Sequence, residues 1–191
     1  NDIELAGFPF HSLDAYLPKL VRAGYRVAIC EQLEKPSKGK KVVQRGITDV
    51  ITPGVTTDDK LLDLKKNNFL CSIAFLNENI GISFADISTG EFYIAEGDSP
   101  YIHKLIQSFQ PSEIILSKSI KDKFESAFGD QYYVYSLEDW IFQFNFGREK
   151  LLKHFHVQTL KGFGVESMNT GQTAAGAILY YLESTENKNP A

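Results

Sequence analysis

Apolar residues recur along this chain at two spacings. Leu13, Tyr16, Leu17, Leu20 and Val21 fall three and four apart, the period of one helix face. Ser12 before them is a good N-cap and Gly24 after them a good C′ residue. Pro18 inside the pattern should kink the helix or displace a hydrogen bond. Residues 25–30 read as a buried strand, Pro36-Ser37-Lys38-Gly39 as a polar turn, and residues 42–51 as a strand broken at Gly46. Thr52-Pro53-Gly54 stops that strand, because Pro lacks a donor and Gly allows a turn. Helix, strand, long hairpin and strand do not close a domain; they read as the back half of one. Residues 56–66 are polar and charged and read as a linker, with a turn of helix open at 58–64.

From Asn67 the period changes to two. Residues 69–76, 80–87 and 91–96 read as strands, joined at Asn77-Glu78-Asn79 and Ser88-Thr89-Gly90. Turns this short imply an antiparallel meander. A helix (100–109), a strand (113–116), a helix (120–128) and a strand (131–136) follow, then helices at 147–155 and 170–185. The expected fold class is α/β: a partial α/β unit over 1–55, a linker over 56–66 and a second unit over 67–191. The second unit's order, three strands and then alternating helices and strands, is that of ribonuclease-H-like folds.

A hydrophobic share of 43% against 23% charged places the chain among ordinary globular proteins. No apolar run approaches the roughly 20 residues that span a bilayer. The only methionine is Met168, which suits a piece of a longer protein. Cys30 and Cys71 both sit in apolar stretches and are expected to be buried free thiols, as in a reducing cytoplasm. Net charge is −4, unevenly placed: residues 1–55 hold eight basic against six acidic residues. The excess lies in Lys35, Lys38, Lys40, Lys41 and Arg45, with no acid between Lys35 and Thr48. Such a run is a candidate phosphate-contacting loop, or else a solvated surface loop. Phe8, Phe10 and Tyr16 lie near it and could stack on bases, but spacing favours the core.

Little in the chain reads as catalytic. Two-metal hydrolysis needs converging carboxylates. The first strand of the meander, Phe69-Leu70-Cys71-Ser72-Ile73-Ala74-Phe75-Leu76, has no acid, and Asp86 on the second is expected to cap the Ser88-Thr89-Gly90 turn. A metal-dependent ribonuclease-H-like nuclease is thus the weaker alternative. His154 and His156 form an H-x-H pair without nearby Cys or carboxylates, so a structural role is expected. His11 and His103 complete no catalytic triad. No G-x-x-x-x-G-K-[ST] phosphate loop occurs.

Three stretches carry a family resemblance. The first runs from Ala6-Gly7-Phe8-Pro9-Phe10-His11 through Ala28-Ile29-Cys30-Glu31-Gln32 and closes with Ile51-Thr52-Pro53-Gly54. The second is Leu151-Leu152-Lys153-His154-Phe155 with Leu160-Lys161-Gly162-Phe163-Gly164. The third is Ala174-Ala175-Gly176-Ala177-Ile178-Leu179-Tyr180-Tyr181-Leu182. In order and spacing the chain resembles the MutS family of DNA mismatch repair proteins, from the second half of the mismatch-binding domain through the connector domain. The resemblance implies a protein that binds mismatched double-stranded DNA, uses ATP and Mg²⁺ bound outside this chain, forms a homodimer and recruits MutL. It implies no catalysis and no cofactor in this piece. The family's mismatch-reading Phe-x-Glu motif is expected upstream of Ala6. By the same resemblance Arg45 and Lys19 fall at DNA-backbone positions, with Lys40 and Lys41 beside them on the basic hairpin. Glu149 and Lys150, facing outward from the helix around Leu151, are the candidate partner-docking pair; the other reading of that face is a solvated helix surface.

Overall fold

The computed structural model describes residues 10–34, 44–55 and 67–186. A 3-10 turn, Phe10–Ser12, leads into α1, Leu13–Arg22. Ser12 belongs to that turn and makes no side-chain cap bond, so the N-cap expected from its identity does not form. The other end closes as expected. Gly24 has φ +85°, its N–H donates to Val21 O at 2.9 Å, and Tyr25 N–H reaches Leu20 O at 3.0 Å, a Schellman closure. The helix runs on through Pro18.

Strands β1, Val27–Gln32, and β2, Arg45–Ile51, pair antiparallel as a two-stranded sheet. Leu17 and Val21 of α1 cover Val27 and Ile51. The register shifts between Ile29 and Cys30, where Thr48 is the extra residue and its hydroxyl meets Ile29 O at 3.4 Å. The expected break at Gly46 is therefore two residues further on. β1 is also not buried: its residues alternate between half-buried and exposed, because α1 packs only near one end of the hairpin. Cys30 consequently is exposed, contrary to expectation, whereas Cys71 is buried; both are free thiols. The linker at 56–66 lies outside the described residues.

The second sheet has five strands in the order β5-β4-β3-β6-β7. β3 (Leu70–Leu76), β4 (Asn79–Asp86) and β5 (Glu91–Gly97) form the antiparallel meander expected from their turns. β6 (Glu113–Ser117) returns parallel to β3, and β7 (Val134–Leu137) lies parallel to β6. The crossovers are α2, Ser99–Phe109, and α3, Lys121–Phe128. Asp98 caps α2 by accepting Tyr101 N–H at 2.9 Å, and Gln110 ends it in a left-handed conformation, φ 47°. The central strands are buried on both faces, which is why they read as continuous apolar runs. Period two sorts them. Cys71, Ile73, Ile114 and Leu116 join Ile102, Ile106 and Phe124 of α2 and α3; Leu70 and Ile115 turn to the opposite face.

That opposite face is covered by α5, Asn169–Glu186, through Ala177, Ile178 and Tyr181. Glu96 of β5 accepts Thr170 N–H at 3.0 Å and Gly171 N–H at 3.1 Å, putting a carboxylate on the positive end of α5. α4, Phe144–His154, packs outside α5. The two helices meet at Gly147 and Gly176: a Cβ on Gly176 would stand 2.2 Å from Gly147 Cα, so this crossing needs glycine.

Candidate nucleic-acid interface and docking faces

Of the four expected backbone-contacting cations, Arg45 and Lys19 fall among the described residues and Lys40 and Lys41 do not. Arg45 opens β2 opposite Gln32 and is exposed. The hairpin neck above it is tied by Leu33 N–H to Gln44 O at 2.9 Å and by Gln44 N–H to Glu34 Oε1 at 3.0 Å. Lys19 is exposed on α1 with its Nζ 5.3 Å from the centre of the Tyr16 ring. Tyr16 is 45% exposed, so it is not the core residue expected. Phe8 lies outside the described residues. Helix α1 covers the Val27–Ile51 end of the hairpin, whereas Arg45 stands about 17 Å along it, taking ~3.4 Å per residue. Arg45 and the part of the hairpin nearest Lys19 are thus at opposite ends of one small unit.

The candidate docking helix differs from expectation in one respect. Glu149 is exposed, but Lys150 does not face out freely: it pairs with Glu183 of α5, retains 20% side-chain exposure, and lies 5.8 Å from the ring centres of both Phe146 and Tyr180. Helices α4 and α5 pack so closely at their glycines that a long side chain one turn away spans the gap. Arg148 also turns inward. It holds Glu166 at 2.6 Å and donates to Gln172 Oε1 at 3.2 Å. The Arg148–Glu166 hydrogen bond, with Leu160 N–H on the other carboxyl oxygen at 2.7 Å, holds the Glu166 carboxyl below its usual range. Trp140 is 48% exposed and stands edge-on to Phe146 and Tyr180, the two rings that Lys150 approaches, at 5.1 and 5.4 Å.

The nuclease alternative finds no support in the carboxylates. Asp86 is 1% exposed and its oxygens are taken: Oδ1 accepts from Ser88 N–H (2.9 Å), Ser88 Oγ (2.6 Å) and Thr89 N–H (3.3 Å), and Oδ2 from Asn68 N–H (3.0 Å). It caps the turn, as expected. Among the described residues no three His, Cys, Asp or Glu side chains gather as metal ligands. His154 ends α4 and His156 has φ 54° just beyond it, so the pair sits on a helix terminus and not on a strand.

Three residues stand out that the sequence did not flag. Glu113 is 2% exposed yet carries a carboxylate; Tyr181 is fully buried; Arg26 lies with its guanidinium carbon 3.6 Å from the Tyr135 ring centre. An acid opening an otherwise apolar strand, Glu113-Ile114-Ile115-Leu116, was the one available signal.

Comparison with known proteins agrees with this architecture. Residues 1–60 match the family model for MutS domain I, and residues 68–191 that for MutS domain II. The protein named DNA mismatch repair protein MutS from Cytophaga hutchinsonii is 55% identical over 191 residues, all of this chain and 22% of the relative. The protein of the same name from Flavobacterium johnsoniae is 54% identical over 98% of this chain and 22% of its own length. That from Parabacteroides distasonis is 55% identical over 97% of this chain and 21% of its own length. The chain therefore spans about a fifth of the relatives it matches, and by its two successive domains it belongs to the MutS family.

Proposed function

We propose that this chain is the part of a DNA mismatch repair protein that holds duplex DNA by its backbone and links that hold to a partner-docking domain. The observation that carries the reading is the match of residues 1–60 and 68–191, in order, to MutS domains I and II. The units divide at 1–55, 56–66 and 67–191. The strand order β5-β4-β3-β6-β7, with β6 and β7 parallel to β3, supports a ribonuclease-H-like connector, and among the described residues no carboxylate set gathers to hold a metal.

Arg45 and Lys19, with Lys40 and Lys41 from the basic hairpin, contact phosphates. Such contacts position a protein on DNA and carry no sequence information. Reading the mismatch falls to a Phe-x-Glu motif elsewhere in the intact protein, since no such triplet occurs in these 191 residues. ATP and Mg²⁺ act outside this chain, in a cytoplasmic homodimer. The piece itself binds and positions. In the connector, Glu149 and the exposed aromatic edge of Trp140 form the face that meets MutL, with Lys150 acting through its pair to Glu183.

Calorimetric titration with the ATP-bound N-terminal domain of MutL tests the docking half. Saturable binding that Glu149→Lys weakens is the expected result. Saturable binding indifferent to Glu149→Lys and to Trp140→Ala would move the docking surface elsewhere.

A further inference from the structure

The turn that leaves β2 does not face solvent. Thr52 is fully buried, its hydroxyl donates to Glu113 Oε2 at 2.6 Å, and Gly54 N–H donates to the same oxygen at 3.0 Å. The other oxygen, Oε1, accepts the Tyr181 hydroxyl at 2.6 Å. Gly54 lies so close that a Cβ there would meet Leu70 Cδ1 at 2.9 Å and Glu113 Cβ at 3.0 Å. A buried carboxylate is costly unless hydrogen-bonded, and two of these three donors come from the end of the hairpin unit. Were that unit to leave, the Tyr181 hydroxyl would be the one side-chain donor that Glu113 keeps among the described residues.

The chain on the far side of residues 56–66 returns to the same place. Asn68 Nδ2 donates to Pro53 O at 3.0 Å, and its Oδ1 accepts Ser112 Oγ at 2.5 Å. Its backbone N–H meets Asp86. The stretches on either side of residues 56–66 are thus bonded to each other through Asn68 and Pro53, and to β4 and β6 through Asp86 and Glu113. A second contact joins the units through residues distant in sequence. Arg26 stacks on Tyr135 and stands 5.4 Å from the Tyr181 ring, and Gly24 lies against the Tyr133 ring. One attachment would leave a hinge; two attachments remove the rotation.

We propose that Thr52, Gly54, Glu113 and Tyr181 form a polar clasp that, with Arg26 on Tyr135, fixes the hairpin unit's orientation on the five-stranded unit. The clasp makes the two units one rigid piece, whatever DNA or partner either unit binds. Glu113 and Tyr181 are positioning residues for the hairpin unit.

The experiment is a spin-label distance measurement on the whole chain, with labels at Ala15→Cys on α1 and Lys104→Cys on α2 in a Cys30→Ser background. A single narrow distance is expected. Thr52→Val and Glu113→Ala should each lose the narrow distribution, while a flexible Gly/Ser insertion between Lys60 and Leu61 should leave it intact. Thermal melting checks that the five-stranded unit stays folded; Thr52→Val changes a residue outside that unit, keeps its shape and serves if Glu113→Ala does not fold. Two results would overturn the clasp: loss of the narrow distance on insertion alone, or its persistence in folded Thr52→Val.

Discussion

Cys30 and Cys71 stand in similar apolar neighbourhoods in sequence and in opposite ones in space. Burial pushes the Cys71 thiol well up, which removes the reactive thiolate. A thiol-reactive dye should therefore modify Cys30 within the dead time of ordinary mixing and leave Cys71 untouched until denaturant is added. Equal labelling of both in the native chain would contradict the packing of β3. At Glu166 the same residue-level argument gives a pH dependence. Its folded carboxyl is held below the ordinary carboxylate value by the Arg148 guanidinium and the Leu160 N–H. A depressed carboxyl contributes stability that is present above the unfolded value and lost as pH falls through the folded one. Asp139, lowered by the Ser119 N–H at 3.1 Å, adds in the same direction. Melting temperature should drop between roughly pH 5 and pH 3, and less steeply in Glu166→Gln. A Glu166→Gln profile parallel to the parent's would remove that pair from the account.

Among the elements, the α4–α5 crossing is the tightest joint. A Cβ at Gly176 would press on the backbone of Gly147, which has no rotamer with which to give way. Gly176→Ala should cost about 1–3 kcal/mol, the usual range for overpacking, as measured by urea denaturation. An unchanged midpoint would mean that the helices separate at no cost. Most elements were legible because their apolar periods were unambiguous. β3 and β6 read as strands, and Asp86 as a turn cap, from local pattern alone. β1 was misread for a physical reason: Val27-Ala28-Ile29-Cys30 has the composition of a buried strand, but no local signal tells how much of a strand its neighbours will cover. Lys150 was misread likewise, since its partner Glu183 lies 33 residues away on another helix. Glu113 is the extreme case. Its donors sit 61, 59 and 68 residues distant, so its role exists only once the units are docked.

At the scale of the whole molecule, a small hairpin unit is seated on a five-stranded α/β unit. The basic excess of the sequence lies in residues 1–55 and the acidic excess after it. With DNA held by the hairpin unit as proposed, this asymmetry would draw the duplex to that unit and away from the five-stranded one. The most direct test is fluorescence anisotropy of a labelled duplex titrated with this chain at two salt concentrations, with matched and mismatched versions of the duplex. The account predicts weak binding that falls with salt, equal for both duplexes, and a salt slope reduced by about one in Arg45→Ala. A preference for the mismatched duplex, or binding indifferent to salt and to Arg45, would contradict it.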